Sequence, residues 1–157
     1  MTDPVTDPVI ADTDVYITRS FAAPRAVVWK FWTDPARIAE WFGPTGFHVP
    51  PDTVEITLEP GGAWNLTMTD GAGMFAPIRG TIVELIDEEL LVVRLDAETG
   101  VGDLSAVLLR VQFHDHGDRT RVTLHQGPFT AEQRDMTAAG WELSFVKLDT
   151  ILEGAQK

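Results

Sequence analysis

Three stretches of this sequence together predict an α+β domain in which a curved antiparallel sheet is gripped by a long C-terminal helix. The first, Pro24-Arg-Ala-Val-Val-Trp-Lys-Phe-Trp-Thr-Asp-Pro35 running on to Trp41-Phe42-Gly43-Pro44, reads as two short helices. Most of the chain between Val54 and Gln126 is strand-and-turn sequence. The third is an amphipathic stretch around Gly140-Trp141 that continues almost to the C-terminus. A sheet clasped between helical ends leaves room for a cavity, so the pattern speaks to shape before it speaks to chemistry.

The elements follow in order. Residues 1–14 repeat Thr-Asp-Pro-Val, carry four aspartates and lack apolar periodicity, which predicts a disordered, dispensable acidic tail ahead of a single domain over residues 15–153. Val15 to Phe21 alternates as a first strand, and Pro24 then stands where a first helical turn accepts proline. Val28, Phe31 and Trp32 share one helical face at i, i+3 and i+4. Thr33-Asp-Pro35 ends that helix and starts a shorter one through Ile38 to Trp41, which Gly43-Pro44 stops.

From Val54 the period becomes two. Val54, Ile56 and Leu58 alternate before Pro60-Gly-Gly62 turns the chain; Trp64, Leu66 and Met68 then share a face, and Asp70-Gly71 bends into a strand from Phe75 to Ile86. The alternation slips between Ile82 and Val83, the mark of a bulge. Asp87-Glu-Glu89 turns into Leu90–Leu95, and an acidic connection over residues 96–103 leads to Val107, Leu109, Val111 and Phe113 on one face. Beyond a turn at residues 115–118, Val122, Leu124 and Gln126 keep the inward parity. The total is about six or seven antiparallel strands. Thr130-Ala-Glu-Gln133 has capping-box spacing, and Trp141, Phe145, Leu148 and Leu152 then form a helical stripe flanked by Met136, Leu143 and Ile151. Gly140 weakens that helix by roughly 1 kcal/mol relative to alanine, which predicts close packing by sheet or ligand beside the tryptophan.

Composition narrows the function. The 157 residues suit one domain, and no apolar run approaches the ~20 residues that cross a bilayer. The N-terminus has neither a basic start nor an apolar core for export, so cytoplasmic residence is expected. Without cysteine there is no disulfide, thiol nucleophile or thiolate metal site. A net charge of −12 with dispersed basic residues predicts no nucleic acid and no anionic membrane as partner.

Taken in order, Ala23-Pro24, Val28-Trp29, Thr33-Asp34-Pro35 and Trp41-Phe42, then Gly61-Gly62, Asp70-Gly71 and Pro77-Ile-Arg-Gly80 with Glu84, and finally Gly140-Trp141 with its leucine-bearing helix, resemble the bacterial activator-of-heat-shock-protein-90-ATPase homologue-like proteins. These belong to the START-like, or SRPBCC, superfamily, and the resemblance covers roughly residues 15–153. It implies the helix-grip fold, with two short helices after the first strand and the long C-terminal helix across the concave face. For function it implies a range, since the superfamily spans lipid and hormone binders, polyketide cyclases and chaperone-associated domains with a stress-response link.

The search for reactive groups is mostly negative. His114-Asp115-His116 is the one dense set of possible metal ligands, and it falls in a predicted turn where polar residues belong anyway. His48 and His125 have no evident partner in sequence, and no nucleophile elbow, phosphate loop or His-Glu-x-x-His pattern occurs. No metal, cofactor or catalytic residue is therefore expected. Five tryptophans and eight phenylalanines are more bulk than this sheet and helix need to close up, so part of the set is expected to line a pocket, against the alternative of a filled core. The ligand-binding candidates are Trp32, Trp41, Trp64, Met68, Phe75, Phe113, Trp141 and Phe145, with Gln126 the one clearly polar residue on the inward parity. The leading expectation is binding of a small hydrophobic molecule. A cyclase or dehydratase acting on a polyketide-like substrate through Glu84, Arg79 or Glu142 is the second, and a chaperone-associated module with a protein partner is the third.

Overall fold

The computed structural model describes residues 13–43, 46–99, 102–103, 107–127 and 129–155. Strand β1 (Val15–Phe21) is followed by helices α1 (Arg25–Thr33) and α2 (Pro35–Ile38) and a short 3-10 turn at Pro51–Thr53. Then come β2 (Glu55–Ile56), β3 (Trp64–Thr69), β4 (Phe75–Ile86), β5 (Leu90–Thr99), β6 (Gly102–Asp103), β7 (Val107–His116), β8 (Arg119–Gly127) and the long helix α3 (Ala131–Ala155). The antiparallel sheet runs β1-β8-β7-β5-β4-β3-β2, with β6 folded back on β5. The seven-strand path and three helices make the expected α+β helix-grip arrangement.

Because β1 and β2 lie at opposite ends of the sheet, the segment joining them must travel from one edge to the other, and it carries α1 and α2. Helix α1 buries Val28, Trp29, Phe31 and Trp32 and packs on β7 and β8. Asp34 both ends α1 and caps α2: its backbone leaves the helical region, and its Oδ1 accepts from the Ala36 N–H at 3.1 Å ahead of Pro35 at the first helical position. At α3 the capping box forms in both directions. Thr130 Oγ1 accepts from the Gln133 N–H at 3.1 Å, and Gln133 Oε1 accepts from the Thr130 N–H at 2.9 Å. Trp141, Phe145, Leu148 and Leu152 are buried as the stripe requires, whereas Met136 and Leu143 are exposed.

The expected bulge occurs between Ile82 and Glu84 in the β4–β5 ladder. Nearby, Gly80 permits a close approach, since a Cβ there would stand 2.5 Å from Val93 Cγ1 and 2.9 Å from the Trp64 carbonyl. Charged side chains help tie α3 to the rest. Arg19, on the inward side of β1, reaches Asp149 at 3.2 Å and Glu142 at 3.4 Å, and Lys147 Nζ donates to the Phe47 carbonyl at 3.2 Å. Burial holds the Lys147 ammonium below its usual range.

Four local readings change. Leu58 does not extend the Val54–Ile56 alternation: β2 is only two residues long and Leu58 is exposed, because the chain turns early into Glu59 to Gly62. The acidic connection is not all loop, since Glu98 pairs with Asp103 and Thr99 with Gly102. His125 has a partner, Asp14, at 2.9 Å, which ties Asp14 to the domain rather than to the tail. The remaining tail, residues 1–12, lies outside the described residues.

Candidate functional site

The groove between the sheet and α3 has two ends of different character. At one end the aromatic side chains pack on one another. Trp32 is fully buried and stacks on Trp141 with ring centres 5.6 Å apart, meets Trp41 edge-on at 4.9 Å, and lies 6.1 Å from Phe113 and 6.3 Å from Phe145. Trp29 and Phe21 extend this cluster through Phe113 and Phe145. Such geometries contribute about 0.5–1.5 kcal/mol per pair beyond area burial. Two of the indoles are also anchored to backbone: Trp41 Nε1 donates to the Phe31 carbonyl at 2.6 Å and Trp64 Nε1 to that of Trp32 at 3.2 Å.

At the other end the side chains stop short of one another and leave a cavity of about 220 Å³. The sheet contributes Trp64 and Met68 from β3, Ala76, Pro77 and Ile78 from β4, and Leu95, Val107, Leu109 and Gln126 from β5, β7 and β8. Helix α3 contributes Met136, Thr137, Gly140, Trp141 and Ser144, and the segment after α2 adds Phe42 and Gly43. Exposed Pro77 and Met136 mark the mouth. Of the two expected neighbours of Gly140 the sheet is not one: a Cβ added there would meet no protein atom within 4 Å. The missing side chain leaves space on the cavity face of α3.

Of the eight candidate residues, the structure places Trp64, Met68 and Trp141 on the cavity wall. Trp32, Trp41, Phe113 and Phe145 are buried in the packed cluster instead, because α1 packs on β7 and β8 at that end and the indoles of Trp32 and Trp41 fill it. Phe75 is a correction: it is 67% exposed and points away. The β3–β4 register sets Met68 opposite Ala76, and side chains alternate across a strand, so Ala76 shares the face of Met68 and Phe75 takes the other. The wall positions Ile78, Leu95, Val107 and Leu109 carry the same inward parity and were readable by counting from Met68 and Phe113. Thr137 and Gly140 follow from helical spacing about Trp141.

The polar inventory of the cavity is short. Gln126 Oε1 accepts from Trp141 Nε1 at 2.7 Å, and Ser144 Oγ donates to the Gly140 carbonyl at 3.0 Å. None of the residues lining the cavity is Asp, Glu, Lys or Arg. Arg79 and Glu84 are exposed and away from the wall, and Glu142 faces solvent beside Arg19, so the three groups that would have supplied acid–base chemistry do not converge on the hole. His114, Asp115 and His116 form no metal site; among the described residues no cluster of three ligating side chains exists, and Asp115 Oδ1 instead caps the Gly117 N–H at 2.9 Å. Among the described residues no helix is long and apolar enough to cross a membrane.

A sheet gripped by its terminal helix around an apolar hole defines the helix-grip, START-like class. Within that class the chain belongs to the family described as Activator of Hsp90 ATPase homolog 1-like protein, whose profile matches residues 22–153. Solved structures share the fold. A protein of Nitrosomonas europaea superposes with a TM-score of 0.76 at 22% identity, covering 94% of this chain and 99% of that one. The AHSA1 protein of Silicibacter pomeroyi gives 0.78 at 21% identity over 89% and 97%, and a Mycobacterium smegmatis protein gives 0.76 at 22% over 97% and 99%. No curated protein matches the chain.

Proposed function

We propose that this protein binds a small, uncharged, largely apolar molecule in the cavity between its sheet and α3. The observation that carries this reading is a 220 Å³ hole with no charged side chain on its wall, beside an aromatic cluster packed tightly enough to show that the same side chains can fill space. An engineered apolar cavity of about 150 Å³ takes up benzene, so this one has room for a substituted single ring or a compact bicycle. The wall offers no acid–base pair, which favours a binder over a cyclase. A chaperone-facing role in keeping with the family's description would use the outer side of α3, where Leu143 and Val146 are exposed.

The test is a titration with a naphthalene-based fluorescent probe, followed by intrinsic tryptophan emission. Saturable micromolar binding that is lost when Met68→Trp fills the wall supports the reading. Absence of binding to folded protein overturns it.

A further inference from the structure

The cavity contains a hydrogen-bond donor with no protein acceptor among the described residues. Gln126 is only 4% exposed, on the inward side of β8, with Val15 and Leu109 as its strand partners. Its amide has one orientation. Trp141 Nε1 carries a hydrogen and no lone pair, so the atom 2.7 Å away must be the carbonyl oxygen Oε1. A flipped amide would set N–H against N–H. With Oε1 committed to the indole, the Nε2 amino group carries two hydrogens and meets no acceptor among the described residues. The other polar side chains on the wall are Thr137 and Ser144; the Ser144 hydroxyl donates to the Gly140 carbonyl at 3.0 Å, and neither hydroxyl is hydrogen-bonded to Gln126.

We infer that Gln126 Nε2 is the recognition point of the site, and that the ligand is an apolar molecule carrying a neutral acceptor oxygen, a ketone, ester or amide carbonyl, which takes a hydrogen bond from it. This rests on the proposed binding function and specifies its chemistry. A carboxylate is disfavoured, because a bare anion in a hole without Lys or Arg loses its hydration and gains only one neutral donor. A pure hydrocarbon is disfavoured for the opposite reason, since it would seal the amide donor away from water without a partner. Trp141 is a positioning residue here: it touches the ligand space with its ring and, through Nε1, holds the amide so that donor rather than acceptor is presented.

The experiment uses two compounds of nearly equal shape, acetophenone and α-methylstyrene, in which C=O is exchanged for C=CH2. Both are titrated into wild-type protein and into Gln126→Met, and the alkene-to-ketone ratio of Kd is compared between proteins so that differences in water solubility cancel. The ratio is expected to fall about five- to tenfold in the variant, with alkene binding retained. An unchanged ratio with both compounds binding overturns the donor assignment and leaves the apolar cavity standing. If neither compound binds wild-type protein, the cavity reading falls and this inference with it. A readout independent of the variant is the side-chain amide of Gln126 in wild-type protein, observed by nitrogen-15 NMR. Acetophenone should move its Nε2 proton resonances downfield and α-methylstyrene should not; equal responses to the two also overturn the assignment.

Discussion

The packed and hollow ends of the groove are built from similar residues, and Trp141 belongs to both. One side of its ring stacks on Trp32, and another part lines the cavity. What differs is the helix face opposite the sheet. Toward its C-terminal half α3 presents Phe145, Leu148 and Leu152, all buried, whereas one to two turns earlier it presents Gly140 and Thr137. Ala76 and Gly43 leave similar room from the other sides. The hole therefore arises from small residues set among large ones, and a census of aromatic residues does not locate it.

That contrast can be broken most directly with alanine. Trp32→Ala should cost about 3–5 kcal/mol, as for a large side chain removed from a closed core, and Trp141→Ala should cost less because one side of its ring already borders empty space. Urea melts decide the order, and equal losses would mean that the hollow end is filled in solution.

A sharper comparison lies within the packed end. Trp41→Phe removes the donor to the buried Phe31 carbonyl and should cost about 1–3 kcal/mol, whereas Trp32→Phe removes an indole N–H that has no partner among the described residues and should cost less. A larger loss at Trp32 would show that its N–H is satisfied after all.

At the hollow end the sign should reverse. Gly140→Ala should stabilise by up to about 1 kcal/mol, since helix propensity improves and nothing stands in the way of the new methyl group. Gly140→Leu should keep the fold while abolishing probe binding; a drop in melting temperature for both variants would show that the space is occupied.

The smallest effect concerns neither end. On the outer side of β7, burial lowers the His114 pKa below its usual 6.5, helped by Arg121 and His116. The unfolded chain then binds the proton more readily, so this contribution is present above pH 6.5 and is lost as pH falls through the unfolded and then the folded value. His114→Gln should flatten the stability profile slightly in that acidic range, and an unchanged slope would locate the acid sensitivity elsewhere.

Features set by neighbours in sequence were legible before the structure. The Thr130–Gln133 box, the bulge after Ile82, the α1 stripe and the inward, buried position of Gln126 all follow from spacing alone. Separating Trp32 from Trp64 as core against wall was not legible, because both have inward parity and only the docking of α1, α2 and α3 decides which one borders space. Phe75 was misplaced for a smaller reason: its face depends on the register with β3, and one residue of register exchanges the two faces. At Gly140 the sheet half of the reading failed, because a glycine signals equally a close approach or a gap.

The pairing of β1 with β8 also dictates when the hole can exist. Asp14 meets His125 across 111 residues of chain, and the same ladder sets Val15 beside Gln126. Closing so long a loop is entropically late, after the local hairpins from β3 to β8 have formed. Helix α3, which lies against β1, can settle fully only then. A ligand held between α3 and the sheet therefore cannot template early folding. It can slow the loss of the finished state, so its presence should be felt in the unfolding rate far more than in the refolding rate.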